Sequence, residues 1–149
     1  MSEKIILRQN KQYEVGFWYT DPNQPDNEDF QPVQGLYEVT PYGMMLFSLA
    51  GCTAQVLLSY ASYHNISLDE VIIRADYERN YKDDCDDCEN INEFDEKIIE
   101  RIVLQGNLDE RTRKKLFQIA HQCPIDKMFR SGIAIDSNLT EEISIQGME

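Results

Sequence analysis

The chain has 149 residues, a length that suits a single domain over residues 1–149, and 42% of them are apolar, enough to bury a core. Its formal net charge is -13. That balance argues against a nucleic-acid partner, which needs a basic patch, and against anionic membrane surfaces; it favours a substrate that is neutral or carries its charge far from the chemistry.

The stretch from Met1 to Glu14 is charged and holds no long apolar run, so no signal peptide is expected. Ile5 and Leu7, then Tyr13, Val15, Phe17 and Tyr19, alternate with polar residues as half-buried strands do. Asp21 to Pro32 reads as a polar loop with Pro22, Pro25 and Pro32, and Leu36 to Val39 as a short strand. Thr40-Pro41 then opens a helix, with threonine as N-cap and proline at the first helical position. The helix is predicted to run to about His64. Met45, Leu49, Cys52, Val56 and Tyr60 share one face, and Phe47, Ala50, Gly51 and Ala54 lie opposite, so burial on nearly all sides is expected. Met44 to Ala61 approaches the length of a membrane span, but Ser48, Thr53, Gln55, Ser59 and Tyr60 interrupt it and no basic flank follows; a buried helix of a soluble domain fits better.

Val71 to Glu78 alternates as a strand, and Phe94 to Leu104 makes a second, pairing with it antiparallel across the acidic loop Lys82 to Asn92. A second helix is predicted from Glu110 to His121, capped by Asn107 or Asp109, with Leu116, Ile119 and Ala120 toward the core. Pro124 breaks it. A short helical turn from Ile125 to Phe129 and strands at Gly132 to Asp136 and Ile143 to Ile145 complete a mixed α+β order.

There are four cysteines and no export signal, so a structural disulfide framework is disfavoured. A cytoplasmic, reducing location is expected, where cysteines that matter are catalytic, redox-active or metal-bound. Cys52 sits inside the buried helix among small residues. Cys123 sits where the second helix ends, and backbone amides beyond the break are placed to point at its sulfur and favour the thiolate. From spacing alone, two buried core cysteines are the simpler account.

The strings around them say more. PYGMMLFSLAGCTA, Pro41 to Ala54, resembles the first cysteine motif of the OsmC/Ohr family, and GNLDERTRKKLFQIAHQCPIDKMF, Gly106 to Phe129, resembles the second. DDCDDCE, Asp83 to Glu89, resembles a loop of one branch of that family. The resemblance implies an OsmC-like α+β fold, with two long central helices packed against antiparallel sheets in an intertwined homodimer. It implies an active site at the dimer interface and thiol-dependent reduction of organic hydroperoxides. In that scheme Cys52 attacks the peroxide and becomes a sulfenic acid, Cys123 closes a disulfide, and a dithiol or protein-thiol reductant reopens it. No cofactor is implied. Family members usually carry a glutamate just after the proline of the first motif, paired with an arginine from the N-terminal strands. Here those positions are Tyr42 and Gly43. Glu38 is a substitute within sequence reach, and Arg8, the only arginine before the first helix, is the candidate cationic partner; an exposed strand-end charge explains Arg8 equally well. After Cys123-Pro124-Ile125 the chain has Asp126, whose charge opposes a thiolate, and Lys127, which is placed to compensate.

Cys85 and Cys88 form a Cys-x-x-Cys whose spacing suits a zinc half-site or a redox pair. Asp83, Asp84, Asp86, Asp87 and Glu89 oppose thiolates there but attract a divalent cation, with His64 and His121 the only histidines available; a solvated acidic loop is the simpler account. Beside the peroxidase stand two alternatives: a binding or redox-sensing protein that keeps the fold without efficient turnover, and a metal-binding protein centred on the acidic loop.

Overall fold

The computed structural model describes residues 2–81, 94–141 and 143. Five strands form one antiparallel sheet in the order β3-β2-β1-β4-β5, with β1 Ser2–Asn10, β2 Val15–Tyr19, β3 Gln31–Pro32, β4 Leu68–Tyr81 and β5 Phe94–Gly106. The helices are α1 Pro41–Tyr63, α2 Glu110–Ala120 and α3 Pro124–Ser131. The alternation that predicts the strands also sorts their faces. Ile5, Leu7, Val71, Ile73, Ala75 and Tyr77 point inward, and α1 lies across β1 and β4 on that side. Leu46, Ala50, Ala54 and Leu57 of α1 and Leu116 of α2 are fully buried against them. Burial of each large side chain contributes about 1.5–3 kcal/mol.

On the outer face Lys4 Nζ reaches the carbonyls of Pro25 and Asn27 at 2.6 and 3.2 Å and the Glu28 carboxylate at 3.0 Å. Arg74 bonds Glu28 at 2.7 Å and Asp76 at 2.8 Å and sits over the Phe30 ring. The Asp21 to Pro32 loop is thus held by charge where it lacks apolar residues. Its last two residues, assigned above to the loop, form β3 against β2.

The helix boundaries follow from caps. Thr40 Oγ1 accepts from Gly43 N at 3.2 Å, and Asn65, at φ 54, turns the chain after α1. Asp109 is the N-cap of α2, accepting from Thr112 N at 2.7 Å. Pro124 has no N–H to continue α2, so the second helical arm is split into α2 and α3. Gly106 joins β5 to the α2 loop at φ 154, where a Cβ would lie 2.1 Å from the Ser67 carbonyl oxygen.

The hairpin of β4 and β5 pairs from Leu68↔Gly106 to Tyr81↔Phe94, with one register shift between Leu68 and Glu70. Three expectations change. Leu36 to Val39 is a single 3-10 turn at Leu36–Glu38, because Glu38 Oε2 accepts from the Gln34 and Gly35 amides and folds the segment back on itself. Gly132 to Asp136 is not a strand; residues 132–140 have no regular secondary structure and are exposed. Ile143 lies outside any strand, and the rest of the last expected strand falls outside the described residues. Nor is α1 covered on nearly all sides. Ser48, Gln55, Ser59 and Tyr63 are exposed and Met45, Cys52, Val56 and Tyr60 half-buried, because one chain supplies one sheet face and two short helices.

Candidate functional site

Cys52 sits at the middle of α1, on the face that meets the junction of α2 and α3. Cys123 is the N-cap residue of α3 and is fully buried. Both are free thiols, and the Cys123 side chain lies close enough to influence the Cys52 thiol. Residues 71 positions apart in the chain are thereby brought together, with Cys52 the more open partner. The backbone N–H of Ile125, in the first turn of α3, favours the Cys52 thiolate. The amide at the helix break therefore serves Cys52 rather than Cys123, the sulfur expected to receive it: Pro124 has no N–H, and the first free donor lies one residue on.

Burial, and then the neighbouring Cys123 thiol, push the Cys52 thiol above its ordinary value, and the Ile125 N–H works in the opposite direction. One amide dipole does not outweigh burial.

The structure does not bring Arg8 to the thiols. Its neighbours in β1, Leu7 and Gln9, face α1, so Arg8 points to the other side of the sheet, where its guanidinium bonds Glu70 at 2.5 Å. Within one chain it is an exposed strand charge. Glu38 is likewise occupied by its own turn. At the position of the family glutamate, Tyr42 stacks on Tyr77 with ring centroids 5.0 Å apart, and its hydroxyl accepts from Arg79 Nη1 at 3.3 Å. Gly43 has no room for a carboxylate, because a Cβ there would stand 3.0 Å from the Tyr19 ring. Asp126 is answered by Arg130, Nε to Oδ1 2.9 Å, one helical turn on, and not by Lys127.

A cavity of about 660 Å³ lies between α1, β5 and the α2–α3 arm, and neither cysteine lines it. Met45 and Leu49 of α1, two turns and one turn before Cys52, form one wall, and Phe117, His121, Asp126, Phe129 and Arg130 of α2 and α3 form another. The third wall is β5, with Ile98, Glu100 and Ile102. His121 Nδ1 lies 2.9 Å from the Phe117 carbonyl, which can only accept, so that nitrogen carries a proton and is not directed at Cys123. Glu100 and Arg130 escaped the sequence analysis. Glu100 had a signal, as a carboxylate in the apolar phase between Ile98 and Ile102. Arg130 had a weaker one, standing four residues after Asp126 on a helix.

Cys85 and Cys88 lie outside the described residues. Among the described residues, no group of three or more His, Cys, Asp or Glu side chains is placed to hold a metal ion. His64 packs on Tyr60 and Tyr63 at the end of α1.

A family model described as OsmC-like protein matches residues 34–138, which include both cysteines and α1 to α3. Among solved structures, an OsmC-like hydroperoxide resistance protein from Jannaschia sp. CCS1 superposes with a TM-score of 0.54 at 12% identity, covering 99% of this chain and 96% of that one. No curated protein matches the sequence.

Proposed function

The chain belongs to the OsmC-like family, and from that premise we propose that it is a thiol peroxidase acting on organic hydroperoxides in peroxide defence. The observation that carries this is the neighbouring pair of free thiols, one half-open and one buried, across the α1 and α2–α3 junction. The Cys52 thiolate attacks the terminal peroxide oxygen; the O–O bond breaks, Cys52 becomes a sulfenic acid, and the departing alkoxide takes a proton to leave as the alcohol. The Cys123 sulfur then attacks Cys52, the disulfide forms, and water leaves. A dithiol or protein thiol reopens it by two exchanges. A cytoplasmic location suits a cycle that must begin from reduced thiols.

The working unit is a homodimer. Two features support this: the half-covered face of α1 that holds Met45, Cys52, Val56 and Tyr60, and the exposed tail whose apolar residues Ile133 and Ile135 alternate with small or polar ones, 63% and 84% exposed. A second copy would supply a partner for the tail and a cation for Cys52.

Cumene hydroperoxide or hydrogen peroxide is added to the reduced protein, and thiols are counted over time in the wild type, Cys52→Ser and Cys123→Ser. Rapid loss of two thiols with the organic peroxide, abolished by either substitution, is expected. If Cys52 stays reduced while other thiols oxidise, the peroxidase is refuted. One observation favours a second function, a peroxide sensor or binding protein without turnover: burial holds the Cys52 thiol up and no cation among the described residues is bonded to it. That protein would form the disulfide once and would not consume peroxide with excess dithiol.

A further inference from the structure

Glu100 stands in the inward phase of β5, between Ile98 and Ile102 and opposite Ala75, whose small side chain leaves space above it. Its Oε2 is buried and has no hydrogen-bond partner among the described residues. Such an orphan is destabilising, and a turn of the carboxyl toward the cavity that Glu100 lines lets a ligand complete it. Burial pushes the carboxyl up, Asp126 adds to that, and His121 and Arg130 oppose it. Asp126 is already held by Arg130, so Glu100 is the acid left to meet a ligand. The surrounding volume, about 660 Å³, is that of a small-molecule site, and Met45, Leu49, Ile102 and Phe117 make its walls apolar.

We propose that Glu100 is the polar anchor of this cavity, hydrogen-bonding the hydroxyl or hydroperoxyl group of a neutral ligand whose hydrocarbon part fills the apolar walls. An anion would meet the charge of Asp126, and a cation would require an ionised Glu100, which burial disfavours. In turnover the ligand is the hydroperoxide, and to that extent the inference rests on the proposed function. Glu100 then decides specificity, selecting ligands that carry a hydroxyl or hydroperoxyl group. The alcohol left after reduction shares the same hydroxyl and hydrocarbon chemistry and binds without reacting, so it serves as the probe.

Binding of 2-phenylpropan-2-ol to the full chain is measured by calorimetry beside two isosteres, the hydrocarbon isopropylbenzene and the amine 2-phenylpropan-2-amine. The wild type should prefer the alcohol to the hydrocarbon by about five- to tenfold, the worth of one net hydrogen bond. Glu100→Leu should abolish that preference and still bind the hydrocarbon, which shows that the cavity is folded. Glu100→Gln should retain most of it. Equal binding of alcohol and hydrocarbon by the wild type, an unchanged preference in Glu100→Leu, or preference for the amine would each overturn the proposal. Cys52→Ser, which cannot reduce peroxide, should keep the preference. A protein inert to peroxide that still discriminates through Glu100 retains this site and loses only the peroxidase. A working peroxidase indifferent to Glu100→Leu does the reverse.

Discussion

Thr40 joins the start of α1 to the buried end of β1, and its removal can be costed from the structure. Its Oγ1 accepts from Gly43 N at 3.2 Å and donates to Glu3 Oε1 at 3.0 Å; Tyr19 donates to the other oxygen of the same carboxylate. Glu3 is 1% exposed, so water cannot replace a lost donor. Thr40→Val keeps the shape and deletes the hydroxyl. Loss of the N-cap costs about 1 kcal/mol, and stranding one oxygen of a buried carboxylate costs about 1–3 kcal/mol more. The expected total is about 2–4 kcal/mol, a large share of the roughly 5–15 kcal/mol that holds a typical domain folded. Urea unfolding at one fixed chain concentration checks it: the midpoint should fall by about 1–2 M with the slope unchanged. Thr40→Ser, which retains both bonds, should lie within about 0.5 kcal/mol of the wild type. A Thr40→Val protein within about 0.5 kcal/mol of the wild type would refute the reasoning, because the buried carboxylate would then not depend on this donor.

Gly106→Ala should destabilise by at least about 2 kcal/mol, seen as a lower melting temperature, since its Cβ would collide with the backbone of Ser67. Burial, with the bond to Glu3, pushes the Tyr19 phenol up to about 12, and burial, with the bond to Glu96, does the same for Tyr77. The unfolded chain loses these protons near pH 10 and the folded chain later, so their stabilising contribution is full below about pH 10 and is lost as pH rises toward about 12; melting temperature and phenolate absorbance, followed together, check this. Truncation after Ser131 should convert a dimer to a monomer in sedimentation velocity and slow Cys52 oxidation at least about tenfold, a loss of about 1.4 kcal/mol in transition-state stabilisation. A truncated chain that stays dimeric would remove the tail from the interface.

By itself the sequence determined the strand alternation, the Thr40 and Asp109 caps, the break at Pro124 and the pairing of β4 with β5. Each depends on local chemistry: side-chain period, a short acceptor before a helix, a missing N–H. It also singled out the two cysteines, because their motifs are contiguous strings. What it could not supply were relations between distant residues. Leu36 to Val39 has strand composition but is folded back by the Glu38 carboxylate. Arg8 looked like a partner for Cys52 until the parity of β1 turned it to the far face of the sheet, toward Glu70. The α3 amide expected at Cys123 reaches Cys52 because α1 crosses that helix start. The orphan oxygen of Glu100 needed three elements to converge on one cavity. Backbone period and caps act over a few residues and are written in order along the chain. Burial, charge compensation and thiol contact depend on which elements pack together, and only the tertiary structure decides that.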